Sequence, residues 1–276
     1  MNQEEQQFLQ NYHLEDYPRP SVTSDIAVFA VKSEAGETYR LDPKKKLCLL
    51  LIQRGQFPFK GSLALPGGFL RPNETIEACA ARELREETGA KAPILRHIGV
   101  FSNPSRDPRG WIVSNAFLSV LSEEILQNMQ ISGGDDAAHA EWFEIDFVQK
   151  QDDICHLTLK HDDVRVSAVL RTFQNIYGMQ EFEVLENGGL AFDHAQIIAA
   201  AVSHLRRETK QFSLIFDFLP EQFTLADLQK IEELISGKSL LASNYRRKAE
   251  NFLEFTGNST NGSGHRPARL FRRKVS

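Results

Sequence analysis

The sequence predicts an α/β domain followed by a mainly helical one. Three observations carry that expectation. Aliphatic, β-branched runs alternate with amphipathic stretches over roughly the first two thirds of the chain. The turn-forming run Glu186-Asn187-Gly188-Gly189 then interrupts the pattern, and the remainder of the chain is mostly helical. Charge also divides: from Arg206 onward there are 13 Lys/Arg and 8 Asp/Glu, leaving 19 and 29 of the whole-chain 32 and 37 before that point. An acidic body with a basic end hints at an appended module with an anionic partner.

Residues 1–20 are polar and end in YPRP, so a loose lead-in is expected. Residues 22–31 and 47–53 read as strands joined by the polar connection SEAGETYRLDPKKK. Residues 73–88 read as a helix, capped by Asn73 and stopped by Gly89. Strands are expected at 98–101, 112–121 and 140–143, with a turn-rich loop at 102–110, and a helix at 164–177. Past the break, 193–210 is an amphipathic helix in which Asp193 and Gln196 resemble a capping box. Thr224 and Asp227 resemble another, opening a helix that Gly237 ends. Asn244 caps a third helix over 245–253; a loop at 257–265 and a strand at 269–272 complete the chain. The expected division is therefore a lead-in (1–20), an α/β domain (21–186) and a helical domain (187–276).

Composition excludes several classes. The 276 residues are 41% hydrophobic and 25% charged, ordinary for a soluble protein with a real core. The longest apolar run, 47–52, is too short to span a membrane, and MNQEEQQF is neither a signal nor a transit peptide. Three cysteines without a C-x-x-C pair argue against a disulfide scaffold or a zinc finger and suit a cytoplasmic protein. His156, His161 and His194 show no metal spacing.

The chemistry concentrates in GGFLRPNETIEACAARELREETGA, residues 67–90. Glu83, Glu86 and Glu87 stand at i, i+3 and i+4 and share a helix face, while Ile76, Ala80 and Leu84 run down another. Three like charges on one turn repel; a divalent cation turns the repulsion into a set of hard oxygen ligands that suits Mg²⁺ or Mn²⁺. Glu74 can join from the preceding turn, and Gly67 and Gly68 allow close backbone approach. Such a cluster serves diphosphate hydrolysis: metal neutralises phosphate charge and a spare carboxylate takes a proton from water. A glutamate trio alone is more often a solvated helix face. The full spacing decides otherwise. The stretch fits G-x5-E-x7-R-E-U-x-E-E-x-G-U (U aliphatic) at Gly68, Glu74, Arg82, Glu83, Leu84, Glu86, Glu87 and Gly89, a chance agreement on the order of 10⁻⁸ per window. It resembles the Nudix box, with Ala90 departing at the last aliphatic position. The resemblance implies a Nudix α/β/α sandwich over roughly 21–177. It implies Glu83, Glu86 and Glu87 as metal ligands or base, with the choice of base open, Arg82 as their orienting residue and the Gly67 carbonyl as a further ligand.

Two stretches bear on the ligand, QRGQFPFKGSLALPGGF (53–69) and SNPSRDPRGW (102–111). Arg54, Lys60, Arg106 and Arg109 offer cations for a diphosphate, and Phe57, Phe59 and Trp111 offer faces for a base. With Gly68 and Asp107 these cations form the candidate ligand-binding set. Beside a Nudix box the stretches resemble the ADP-ribose-directed branch of that family, which implies ADP-ribose or a related NAD-derived nucleotide.

Three short helices and a hairpin with a Gly/Asn/Ser-rich tip form the pattern of a winged helix. From Asn244 to the end there are 8 basic and 2 acidic residues. The candidate DNA contacts are Asn244, Arg246, Arg247, Lys248, Arg266 and Arg269, with Arg272, Arg273 and Lys274 nearby. A helical dimerisation domain with a solvated basic end is the alternative. The stretches LAFDHAQII, FTLADLQKIEELISGKSLLASNYRRK and GHRPARLFR resemble the NrtR family of Nudix-related regulators of NAD metabolism. That resemblance implies a dimeric repressor of NAD metabolism genes, released from operator DNA by ADP-ribose. The intact box keeps a rival open, a Mg²⁺-dependent ADP-ribose diphosphatase whose tail only dimerises or localises it. A Nudix hydrolase of an oxidised nucleoside triphosphate would leave the arginine-rich loop without a role.

Overall fold

A computed structural model describes residues 2–33, 44–89, 94–127, 137–260 and 267–274. The α/β part is one mixed sheet. Its strands are β1 (Ser21–Ser33), β2 (Lys45–Arg54), β3 (Leu63–Ala64), β4 (Gly67–Phe69), β5 (Arg96–Phe101), β6 (Ile112–Leu121), β7 (Ala137–Gln149), β8 (Ile154–His161), β9 (Val164–Gln174) and β10 (Gln180–Glu186). The order is β10-β9-β8-β7-β2-β1-β6-β5, with β3 beside β2 and β4 beside β1. β1 and β6 run parallel; the other pairs are antiparallel.

The helices are α1 (Gln3–Gln10), α2 (Ile76–Thr88), α3 (Glu123–Gln127), α4 (His194–Lys210), α5 (Leu225–Ser236) and α6 (Ala242–Ala249). Strand alternation explains the layers. On β1, Ile26, Val28 and Ala30 pack with Ala80 and Leu84 of α2; Ala27, Phe29 and Val31 face the other way and join the core that holds α4. Both faces are covered, so β1 reads as a continuous apolar run. The result is an α/β/α sandwich, as the resemblance implies, but α4 from beyond the expected 21–177 span supplies its second helical layer.

The second core continues without a break through Phe212, Ile215, Phe223, Leu228, Ile231, Ile235 and Tyr245 into the C-terminal helices. There β11 (Phe223–Thr224), β12 (Leu253–Ser259) and β13 (Arg269–Arg273) form a small sheet of order β11-β13-β12. With α5 and α6 it makes a winged helix. The Thr224–Asp227 capping box and the left-handed Gly237 C-cap at φ 67° stand as expected. All three cysteines are buried and free, and among the described residues no helix is long and apolar enough to cross a membrane.

Several expectations need correction. The segment 164–177 is not a helix but β9 and its turn. Val166, Ala168 and Leu170 alternate toward the core, and Asp162 at φ 48° turns β8 into β9 as a hairpin. The lead-in holds a helix, α1, closed by an Asn2–Glu5 capping box but with none of its residues buried. Thr75, not Asn73, caps α2; Asn73 sits at φ 68°. Asp193 makes no capping bond, because Arg106 takes its carboxylate. Asn244 lies inside α6, which starts after Leu241 and ends at Ala249, so Leu253 opens β12 instead. α4, expected with the C-terminal domain, packs on β10, β5 and β6 as well as on α5, so the two domains share it. Most of the 33–46 connection, Ala90 and much of the 257–265 loop lie outside the described residues.

Candidate functional site

A cavity of about 650 Å³ opens between the end of α2, β4 and the start of α4. That size suits a small-molecule site. Its lining includes Glu83, Glu86, Glu87, Gly67, Gly68, Arg54, Arg106, Asp107 and Arg109. The structure thus gathers most of the predicted set around one space. Lys60, Phe59 and Trp111 are not part of the lining.

Arg82 organises the glutamates from behind. Its guanidinium contacts Glu74 at 2.7 Å, Glu83 at 2.5 Å, Glu86 at 3.2 Å and the Phe69 carbonyl at 3.1 Å. Its bonds hold the Glu74 carboxyl down to about 2. Glu87 is different. It is 8% exposed and accepts one bond, from the Gly67 amide at 2.9 Å. Burial pushes its pKa up to about 8, with Glu83 and Asp25 adding repulsion against the Gly67 bond.

Gly67 and Gly68 are demanded by this crowding. A Cβ on Gly67 would run into the Ser24 carbonyl across the β1–β4 pair, and one on Gly68 into the Glu83 carboxylate.

The donor set fits a hard divalent cation: three carboxylates line one cavity, and one of them is buried with like charge beside it. Among the described residues, no group of three or more acidic, His or Cys side chains converges as a ready-made chelate; Arg82 instead holds Glu83 and Glu86.

The rest of the lining is largely cationic and aromatic. The guanidinium of Arg54 lies 4.8 Å and that of Arg109 5.3 Å from the Phe192 ring centre, and Arg109 also covers Phe69 at 5.0 Å. Asp107 fixes Arg109 through three bonds of 2.7–3.0 Å; burial works to raise its pKa, and the arginine bonds outweigh that and lower it.

Arg106, expected as a diphosphate cation, is already paired. Its side chain is 3% exposed, bonds both oxygens of Asp193 at 2.8 and 2.9 Å, and reaches Asp25 at 3.3 Å. Asp25 also accepts from Ser114 Oγ. It stands 3.5 Å from Nε2 of His194, whose Nδ1 accepts from the Leu65 amide at 2.9 Å. Burial lowers the His194 pKa, so the ring is neutral with its proton on Nε2.

Asp25, Phe192, Asp193 and His194 are absent from the expected set. One signal for them is visible in the sequence: Asp25 is a lone carboxylate inside an apolar strand. Phe192 and His194 come from a segment distant in sequence, and only folding brings them here.

In the winged helix, Arg246, Arg247 and Lys248 are exposed on α6 while Tyr245 and Ala249 are buried. Their situations differ. Arg246 pairs with Glu250 at 3.4 Å. Lys248 turns back to the buried Glu232 of α5 at 3.1 Å and lies 4.7 Å from the Phe212 ring centre. Arg247 has no partner among the described residues. Asn244 is exposed in the first turn of α6, and Arg269 covers the Phe255 ring at 5.5 Å. Arg266 lies outside the described residues.

Comparison with known proteins agrees with both halves. Residues 37–159 match the NUDIX domain family, and residues 215–273 match the NrtR DNA-binding winged helix domain. The chain is 31% identical over 271 residues to the ADPR-responsive transcriptional repressor NtrR of Acinetobacter baylyi, covering 97% of this chain and 88% of that one. It is 44% identical over 103 residues to an ADP-ribose pyrophosphatase of Methanocaldococcus jannaschii, covering 37% of this chain and 57% of the relative. A crystal structure of a MutT/nudix family protein from Enterococcus faecalis superposes with a TM-score of 0.75 at 29% identity, over 98% of this chain and 93% of that one. Shewanella oneidensis NrtR complexed with a 27mer DNA superposes with a TM-score of 0.61 at 26% identity, over 92% and 93%.

Proposed function

The chain belongs to the family of ADP-ribose-responsive transcriptional repressors that join a Nudix domain to an NrtR-type winged helix, and on that premise we propose that it represses NAD metabolism genes by binding operator DNA as a homodimer and is released when ADP-ribose enters the Nudix cavity. It acts in the cytoplasm. The observation that carries this function is the union of two sites on one continuous core. One is a cavity with arginines over an aromatic ring, and the other is a winged helix with a basic outer face.

The roles divide by chemistry. Arg54 and Arg109 meet the diphosphate, and Phe192, Phe69 and Phe57 offer faces to its base and ribose. Glu83, Glu86, Glu87 and the Gly67 carbonyl would hold Mg²⁺ or Mn²⁺, which would supply charge neutralisation at the phosphates. Arg82 sets the glutamates in place. On the DNA, Arg247 and Arg246 lead from α6, with Asn244 in its first turn and Arg269 on the wing strand; two such modules read two half-sites. Sedimentation of the full chain with a duplex from the region upstream of its own gene should give two chains per duplex. A complex with one chain, or none, contradicts the dimeric repressor.

A second activity is favoured by one observation. Glu87 is a buried carboxyl at the cavity whose pKa stands near 8, and a cation bound beside it would restore the ionised form that takes a proton from water. Slow Mg²⁺-dependent cleavage of ADP-ribose to AMP and ribose 5-phosphate would then reset the sensor. Glu87→Gln should abolish AMP release; unchanged release removes the site from that role.

A further inference from the structure

We propose that α4 couples the cavity to the winged helix, with Asp193 at its start and Arg206 near its end as positioning residues that hold the two sites in register. This rests on the repressor function above and names the path of its regulation.

The start of α4 is tied to the cavity wall at two successive residues. Asp193 occupies the N-cap position yet makes no capping bond; both of its oxygens go to the guanidinium of Arg106. His194 faces Asp25 and accepts from the Leu65 amide. Arg106, Asp25 and His194 all line the cavity. Arg106 also sits in the same short loop as Arg109, which faces the cavity beside Phe192.

The far end of α4 is tied to the DNA-binding module. Half-buried Arg206 donates from Nε to the Ile235 carbonyl at 2.9 Å, in the last turn of α5. From Nη2 it donates to the Phe147 carbonyl of β7 at 2.7 Å. A cation at the C-terminal end of a helix is well placed, and the planar fork lets one side chain hold two carbonyls on two elements.

Between these ends α4 is stiff. His194–Lys210 contains neither glycine nor proline, and Ile197, Ile198, Ala199, Ala201, Val202 and Leu205 are all buried. At 1.5 Å per residue, the stretch from 194 to 206 spans about 18 Å. A diphosphate held by Arg109 would draw on the short loop that also carries Arg106, and the Arg106–Asp193 pair passes that shift to the start of α4. A packed helix then moves as a unit. Arg206 delivers that movement to the end of α5, which packs directly on α6. Both sites therefore bias one element, which is what coupling between them requires.

The test is a thermodynamic cycle on the full chain. Affinity for duplex DNA from upstream of its own gene is measured without and with saturating ADP-ribose, and affinity for ADP-ribose is measured alone. In Arg206→Met the ratio of the two DNA affinities should fall to within about twofold of 1, with each single affinity within about threefold of wild type. A purely structural role for Arg206 would instead lower both affinities and keep the ratio. Asp193→Asn should lower the ratio from the other end, and the double variant should lose no more than the stronger single one. A wild-type ratio of 1 ends the repressor function itself. A wild-type ratio well above 1 that both variants preserve overturns only the path through α4.

Discussion

The Cβ that Gly68 lacks would overlap the carboxylate of Glu83, so bare backbone on β4 is what lets Glu83 stand at the cavity. Gly68→Ala should push Glu83 aside while the fold survives, because the obstructing atoms are the end of a side chain rather than backbone. Binding of Mn²⁺, followed calorimetrically, should weaken at least about tenfold, or about 1.4 kcal/mol. Binding at wild-type strength would remove Glu83 from the ligand set.

Glu87 makes stability depend on pH. Its folded pKa is raised to about 8 from an ordinary 4.5, so the folded state holds the proton more tightly than the unfolded chain. The contribution is fully present below about pH 4.5 and is lost as pH rises through about 8. Glu87→Gln removes this dependence. The variant should melt higher than wild type at pH 8.5, by on the order of a few kcal/mol of stability, and close to it at pH 5. Equal pH profiles by thermal melting would show that Glu87 ionises freely.

Mg²⁺ should reverse that effect in the wild-type chain. A cation at the carboxylates favours the ionised form, so binding at pH 7 releases up to about one proton from Glu87. Calorimetry in two buffers of different ionisation heat reads the number directly. In Glu87→Gln the release should vanish.

The basic residues of α6 should separate by partner. Arg247→Ala should weaken DNA binding and reduce the slope of log affinity against log salt by about 1. Lys248→Ala should change the slope less and lower stability on the order of 1 kcal/mol, because it leaves buried Glu232 without its cation. Equal salt slopes for the two variants would mean that Lys248 leaves Glu232 when DNA binds.

Legibility in the sequence tracks the range of the forces involved. The α2 glutamates are readable because helical spacing alone puts Glu83, Glu86 and Glu87 together, and Gly67 and Gly68 are readable because a glycine pair signals close backbone approach. The strand at 164–174 is misread because Val, Ala and Leu satisfy either period over a short span, and strand pairing decides it. Partners from far along the chain are not legible. Nothing in SNPSRDPRG shows that Asp193, 87 residues away, takes Arg106 from the ligand set, or that Glu232 turns Lys248 back from the α6 surface.

The most direct measurement is the anisotropy of a labelled duplex from the region upstream of the chain's own gene, titrated with the protein in the presence of unrelated competitor DNA, without and with ADP-ribose, while AMP release is followed in the same tube. The repressor should bind this duplex over competitor, lose at least about tenfold in affinity with saturating ADP-ribose, and release AMP slowly or not at all. Brisk AMP release with no preference for the duplex, or a preference that ADP-ribose leaves unchanged, would contradict it.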